Sequence, residues 1–146
     1  MDKNEELIRL SENPNTRFWK MGFSELTKSE QVFVTIWELE SEVNNGGFEQ
    51  YFLNSSGDNS FAVVSSLNSI GAVNAAKIVQ EAVSIFGSNG PSRIHEERTT
   101  QVENLSDDNK SRLQELDDEF MLYPDNLTEL LHSFVTMNRA QITGYN

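Results

Sequence analysis

Apolar side chains recur every three or four residues along most of the chain, which is the spacing that places them on one face of an α-helix. The stretch after Thr27 shows this period, with Val32, Phe33, Ile36 and Val43 on one face. No stretch shows the sustained alternation of apolar and polar residues that a half-buried strand requires. The pattern therefore predicts an all-α fold, and we expect a single compact bundle of about six to eight helices with short loops.

Start and stop signals place the ends of the predicted helices. The sequence Thr27-Lys-Ser-Glu30 matches a capping box, in which the threonine side chain caps the helix and the glutamate side chain accepts the backbone N–H of the threonine. The run 44–47, Asn-Asn-Gly-Gly, is expected to end that helix, because glycine is common just past a helix C-terminus. Other segments that indicate helices are 5–10, 48–54, 61–70, 72–86, 106–123 and 127–135. The polar stretch 93–105 gives the weakest signal.

Short polar residues precede three of these segments, and such side chains commonly cap helix N-termini. Asp58 or Asn59 is expected to cap the segment 61–70. Ser106 is expected to begin the next-to-last helix, and Asp125 or Asn126 to cap the last one. Each cap is therefore a specific prediction about one side chain and one helix.

Nothing in the sequence divides the chain. Its 146 residues are enough to bury a core, and we find no internal repeat, low-complexity tract or linker. We therefore expect residues 1–146 to form a single helical domain. Residues 1–23 would form an N-terminal helix and arm, and about 27–139 the core.

Several classes of protein are excluded by what the sequence lacks. It contains no cysteine, so it holds no disulfide, thiolate metal site or cysteine nucleophile. Its first residues lack the basic and then apolar order of a signal peptide, and no apolar run reaches membrane-spanning length. We therefore expect a soluble, cytoplasmic protein.

The charge of the chain is strongly negative and unevenly distributed. Asp and Glu number 23 against 11 Lys and Arg, a net charge of −12. The window 25–49 has six acids and one base, and the window 103–129 has nine acids and two bases, so these two windows carry the whole net charge. Such a field repels nucleic acid and anionic membranes and favours a basic partner.

One side of the helix that follows Ser106 collects most of these acids. On a helical wheel, its carboxylates lie away from the face of Leu113, Leu116 and Phe120. They span roughly 18 Å, a density comparable to the phosphates of duplex DNA, about 3.4 Å apart on each strand. The alternative is a plain solvated helix face, which is common. The proposed patch consists of Asp107, Asp108, Glu115, Asp118 and Glu119, with Glu38 and Glu42 extending it.

The most distinctive motif of the chain lies between residues 42 and 58. Its glycines allow a backbone turn that residues with a Cβ resist, and its aromatic residues are spaced to bury one face of a short helix. These features indicate a structural joint between two helices. The alternative is a pocket for a small ligand, with walls of amide and aromatic side chains. The residues that would form either one are Asn45, Gly46, Gly47, Phe48, Gln50, Tyr51 and Asn54.

In this motif the sequence resembles a bacterial family long classed as a domain of unknown function and named after the C-terminal domain of a DNA-mimic protein. The family signature is an acidic residue, Asn-Gly-Gly-Phe, then Gln and aromatics, then Asn-Ser-Ser-Gly. Further matches follow in 67–86, 116–120 and 123–127, so that the resemblance covers roughly 27–139. It implies an all-α acidic protein that imitates the charge surface of DNA and sequesters a DNA-binding protein.

No motif for catalysis or cofactor binding is present in the sequence. His95 and His132 are the only histidines, and neither has the second histidine at helical spacing that a zinc protease needs. There is no nucleophile elbow, phosphate-binding loop or dinucleotide fingerprint. We therefore expect no catalytic residue, no metal and no cofactor.

Together these features predict a non-catalytic acidic protein that occupies a basic protein surface, as a DNA mimic that competes with DNA for a DNA-binding protein. One alternative is an immunity protein that neutralises a basic toxin such as a nuclease. Another is an enzyme or ligand-binding protein that uses the Asn45–Gln50 corner. In the first two cases the partner is a basic protein and not nucleic acid or membrane. The sequence leaves open whether the chain forms a homodimer.

Overall fold

The computed structural model describes residues 1–145. Over this part of the chain the structure has α-helices and short 3-10 helices and no strand, so the predicted all-α bundle is confirmed. The helices are α1 (Lys3–Glu12), α2 (Lys28–Leu53), α3 (Ser60–Ser69), α4 (Val73–Ser84), α5 (His95–Glu103), α6 (Asp107–Met121) and α7 (Leu127–Met137). Short 3-10 helices cover Phe23–Glu25, Ser55–Asn59 and Arg139–Gln141.

Helix α2 forms the centre of the bundle. Its apolar face, with Phe33, Ile36, Leu39 and Val43, is fully buried, and it packs against α3, α5, α6 and α7. Helix α4 bridges α3 and α6, and α1 lies on α7. The predicted periodicity is therefore realised around one long helix, and α6 lies directly against it.

The capping box at the start of α2 forms as predicted. Thr27 Oγ1 accepts a hydrogen bond from the backbone N–H of Glu30 at 3.1 Å, and the Glu30 carboxylate accepts one from the Thr27 N–H at 2.8 Å. The same buried carboxylate receives the Arg17 guanidinium and the N–H of Thr143. Although burial alone would raise the pKa of Glu30, these donors hold it below its ordinary value. One cap residue thus ties the N-terminal arm and the C-terminal segment to α2.

The expected stop at 44–47 is a kink that divides α2 into two helical segments, the second of which corresponds to the helix predicted for 48–54. The helix axis breaks at Gly46 and Gly47, whose backbones are non-helical, and then continues to Leu53. The second half is kept in place because Phe48 and Phe52 are fully buried. Their rings pack against Phe120 of α6 and Phe86, which follows α4.

The predicted caps are partly correct. Ser106 caps α6 and Asn126 caps α7, each by accepting a backbone N–H. Neither Asp58 nor Asn59 caps α3 through its side chain, because Asp58 is paired with Arg98 and the Asn59 amide donates to Glu38.

Asp125 caps a helix distant from it in sequence. Its carboxylate accepts the backbone N–H groups of Asn74 and Ala75 at 2.9 and 2.8 Å, in the first turn of α4. The sequence assigned Asp125 or Asn126 to α7 alone. The loop before α7 therefore supplies hydrogen-bond acceptors to the first backbone N–H groups of two helices, α4 and α7.

Candidate functional site

All five α6 carboxylates of the predicted patch are exposed. Glu115 and Glu119 both accept hydrogen bonds from the Arg112 guanidinium, at 2.9 and 3.0 Å. Within residues 1–145, the other three side chains contact no cation: Asp107, Asp108 and Asp118. The face therefore presents both paired and unpaired carboxylates to solvent.

Arg112 joins the acidic face to α4. Its guanidinium also binds the carboxylate of Glu81, which lowers the pKa of Glu81. Three carboxylates thus surround one guanidinium, so the cluster of Glu81, Arg112, Glu115 and Glu119 remains negative. The acidic surface extends from α6 across to α4 by this route.

Glu38 and Glu42 lie in a different environment. Glu42 is half-buried and accepts the side-chain amides of Gln50 and Asn54, both at 2.8 Å. Glu38 accepts one from Asn59 at 3.2 Å, and burial raises its pKa to about 7. The structure brings these two acids together with the 42–58 motif, and neither makes a hydrogen bond with α6.

The two acidic windows meet at the kink of α2. The Asp117 carboxylate accepts the backbone N–H of Phe48 at 2.7 Å, which satisfies a donor that the kink releases. Burial raises the pKa of Asp117, and the nearby charges of Asp118 and Glu49 raise it further. Glu49 belongs to the first window and Asp118 to the second, so the windows adjoin at this point.

The side chains of the 42–58 motif are used mainly for contacts within the protein. Phe48 and Tyr51 are fully buried, and the amides of Gln50 and Asn54 share Glu42. Asn45 is exposed. None of the five principal cavities in residues 1–145 is lined by the motif residues from Asn45 to Asn54.

Gly47 is required by both its backbone and its surroundings. Its φ of 76° lies in the left-handed region that favours glycine. A Cβ on this residue would lie 2.4 Å from a carboxylate oxygen of Asp117. The second glycine of the motif therefore lets α6 approach α2 closely enough for Asp117 to reach the Phe48 N–H.

Arg98 organises the other half of the motif, and the sequence analysis did not identify it. The side chain is fully buried. It donates to the carbonyls of Phe52, Asn54 and Ser92 at 2.6, 3.1 and 3.0 Å and to the Asp58 carboxylate at 2.7 Å. It lies in the polar stretch 93–105, where hydrophobic periodicity gives no signal for a buried arginine.

The position of Arg98 explains the glycine that closes the Asn-Ser-Ser-Gly part of the motif. A Cβ on Gly57 would lie 2.5 Å from the Arg98 Nε and 2.8 Å from the carbonyl oxygen of Phe52. The absence of a side chain at this position leaves room for the guanidinium. The last glycine of the motif and the arginine of α5 therefore form one structural unit.

The two histidines are engaged with neighbouring groups. The His95 ring contacts the carbonyl of Leu53, and the His132 ring contacts the Glu6 carboxylate. In residues 1–145, no group of three or more His, Asp or Glu side chains is arranged to hold a metal ion. No helix in the same residues is both long and apolar enough to cross a membrane.

Comparison with known proteins gives one match. No curated protein and no solved structure matches the chain. A family model described as DMP19-like protein matches residues 24–138, well over half of the chain. This match confirms the DNA-mimic family resemblance that the 42–58 motif indicates. The chain therefore belongs to the family of DMP19-like proteins.

Proposed function

We propose that this chain is a non-catalytic acidic protein that occupies the DNA-binding surface of a basic protein and so competes with DNA. Membership of the DMP19-like family supports a DNA-mimic role. The observation that carries the proposal is the exposed row of carboxylates on α6, from Asp107 to Glu119. Competition with DNA requires a compartment that contains DNA-binding proteins, which in a bacterium is the cytoplasm.

The α6 face has the reach and charge that such a role needs. Asp107 and Glu119 are twelve residues apart, which is about 18 Å of helix and so about five phosphates of one DNA strand. Carboxylates spread over this distance can form ion pairs with Lys and Arg side chains that otherwise bind the phosphates of DNA. Because the attraction is between charges near the surface, binding should weaken as salt rises.

The neighbouring acids extend the proposed surface beyond α6. Glu81 is joined to it through Arg112, and Glu49 approaches it beside Asp117. Glu42, which the sequence suggested as an extension together with Glu38, is engaged with two amides of the 42–58 motif, and Glu38 accepts from Asn59 just after it. We therefore place Glu81 and Glu49 in the surface, and Glu38 and Glu42 outside its centre.

The 42–58 motif is better interpreted as a helix joint than as a ligand site. Its glycines accommodate Asp117 and Arg98, its aromatic rings form core, and two of its amides bind Glu42. These contacts leave few free polar groups for a substrate. An enzyme that uses this corner is therefore the weaker alternative.

A matched pair of charge-reversal variants tests the proposed surface. The partner is captured from lysate of the native host at low salt, and its affinity for the chain is then measured by calorimetry. We expect Glu115→Lys with Asp118→Lys to lower the affinity about tenfold or more. The control, Glu5→Lys with Glu12→Lys, makes the same change in net charge on the exposed side chains of α1 and should have little effect.

Two outcomes would contradict the proposal. The α6 variant could remain folded and bind with unchanged affinity, or both variants could lose the same affinity, which would indicate a response to net charge alone. Capture of a nuclease or other toxin that the chain inhibits without displacing DNA would favour the immunity interpretation instead.

A further inference from the structure

An open groove lies between the N-terminal arm and α2, away from the α6 face, with a volume of about 200 Å³. Its walls include Trp19, Met21, Phe23, Glu38 and Asn59. We propose that this groove is a second binding site, which receives an arginine side chain presented by a basic partner. It goes beyond the proposed function, because it is separate from the α6 carboxylates and would recognise one kind of side chain rather than a basic surface as a whole.

The aromatic wall of the groove is exposed and held in place. Trp19 is 51% exposed, yet its indole N–H donates to the carbonyl of Ser11 at 2.9 Å. Its ring meets the edge of Phe18, which stacks on Phe33 of the core. A large exposed ring that is already ordered loses little entropy on binding, and tryptophan is enriched among residues that dominate interface affinity.

The neighbouring surface already holds a guanidinium on an aromatic ring. The Arg93 guanidinium lies over the exposed ring of Phe61, 3.8 Å from its centre. Phe61 in turn meets the edge of Phe23, which lines the groove. Arginine stacks on aromatic faces in this way more readily than lysine does. The local chemistry therefore favours a guanidinium as the occupant.

Glu38 supplies the negative charge that such an occupant needs. No lysine or arginine lines the groove, and in residues 1–145 the only hydrogen bond that the Glu38 carboxylate receives is from Asn59. A guanidinium can donate two N–H groups to one carboxylate, which adds geometric specificity to the charge attraction. The groove thus combines an aromatic wall with a carboxylate, that of Glu38, which can accept further hydrogen bonds.

The charged and titratable groups around Glu38 predict how binding depends on pH. The negative charges of Glu42, on the same helix, and of Asp58 oppose the ionisation of Glu38. The charge of Glu38 in turn opposes the ionisation of the buried Tyr51, and the nearby cation Arg98 is paired with Asp58. Burial is the main cause that raises the pKa of Glu38 to about 7. An incoming guanidinium favours the ionised form, so binding should strengthen as pH rises from 6 to 8.

The test uses N-acetyl-arginine amide as the probe and N-acetyl-citrulline amide as its neutral control. The two tryptophans give two indole N–H signals by NMR, and Trp37→Phe assigns them. We expect the arginine probe to shift the Trp19 signal saturably, more strongly at pH 8 than at pH 6, and the citrulline probe to leave it unchanged. Glu38→Gln should weaken arginine binding about tenfold, whereas Glu119→Gln on α6 should not.

The proposal would be overturned by equal responses to the arginine and citrulline probes, by unchanged binding in Glu38→Gln, or by a stronger response to N-acetyl-lysine amide. Because Trp37 is half-buried and stacks on Phe33, its signal reports whether Glu38→Gln keeps the native fold. The test needs no partner protein. Its failure is therefore distinct from a failure of the α6 surface to compete with DNA.

Discussion

Arg98 is the residue on which the 42–58 motif most depends. It is fully buried and serves three carbonyls and one carboxylate. Arg98→Met would leave these acceptors without their donor, and we expect it to lower the free energy of unfolding by about 3–5 kcal/mol. Asp58→Asn should cost only about 1 kcal/mol, because the amide oxygen that replaces the carboxylate can still accept from Arg98, and the three carbonyl contacts remain. Urea unfolding gives both values, and equal losses would contradict the central role of Arg98.

Glu38 makes folding sensitive to pH in a definite direction. Its pKa is about 7 in the folded protein, against an ordinary value of 4.5. The folded state therefore binds the proton more tightly, and this contribution to stability is present below about pH 4.5 and lost as pH rises through 7. Glu38→Gln removes the carboxyl group whose ionisation destabilises the folded state at high pH. The variant should therefore be more stable than the wild type by roughly 1–3 kcal/mol at pH 8 and should differ little from it at pH 4.5.

The measurement is urea unfolding of Glu38→Gln and the wild type at pH 4.5 and 8, with Glu12→Gln as the control on an exposed side chain. Burial also raises the pKa of Glu40, so the Glu38→Gln variant should keep some pH dependence in the same direction. A variant that is no more stable than the wild type at pH 8 would contradict the account of Glu38.

At the residue scale, the sequence predicted local contacts well and distant ones poorly. The Thr27–Glu30 box and the Ser106 cap involve partners three residues apart, so spacing alone identifies them. The capping of α4 by Asp125 joins residues 50 apart. Three of the four contacts of Arg98 likewise cross 40 to 46 residues. Only the folded chain brings these groups together.

At the scale of elements, the kink in α2 connects the motif to the acidic helix. Gly47→Ala would place a side chain in a glycine-favoured conformation and against Asp117. We expect it to lower the free energy of unfolding by about 2–4 kcal/mol, from backbone strain and the lost Asp117–Phe48 hydrogen bond. Gly22→Ala is the control, since its φ is −62° and no atom lies within 4 Å of the added Cβ. Thermal or urea unfolding that shows equal effects would contradict this account.

Helix α6 and the helical segment 48–54 were predictable, but the direct continuation of α2 into that segment was not. The apolar positions Leu113, Leu116 and Phe120 define α6 without ambiguity, and its N-terminal acids suit the helix dipole. In α2, the glycine pair indicates a stop when only the local sequence is considered. The aromatic spacing after the pair predicts the helix over 48–54, but it does not reveal the partners on other elements against which Phe48 and Phe52 are buried.

At the scale of the whole molecule, a net charge of −12 opposes the compact state. Salt screens repulsion between surface carboxylates, so the free energy of unfolding should rise between about 20 and 200 mM NaCl. The charge-reversed variant with Glu115→Lys and Asp118→Lys should show a smaller rise, because it carries less negative charge. Urea unfolding across the salt series measures both, and a fall in wild-type stability with salt would contradict the prediction.

The concentration of charge in two windows was visible in the sequence, but its arrangement in space was not. The windows adjoin at Asp117, where Glu49 approaches Asp118, and the acidic surface reaches Glu81 through Arg112. Glu42, close in sequence to Glu49, instead binds amides of the 42–58 motif, and Glu38 accepts from Asn59 in the groove beside Trp19. Which carboxylates share a surface is decided by tertiary packing, so the surface could be assigned only from the fold.

The most direct test of the proposed mimicry is a displacement titration. The captured basic partner is bound to labelled duplex DNA at low salt, and the chain is added while fluorescence anisotropy follows the DNA. We expect complete release of DNA by the wild type and about tenfold less effective release by the variant with Glu115→Lys and Asp118→Lys. A ternary complex, in which the partner holds the chain and the DNA together, would contradict it.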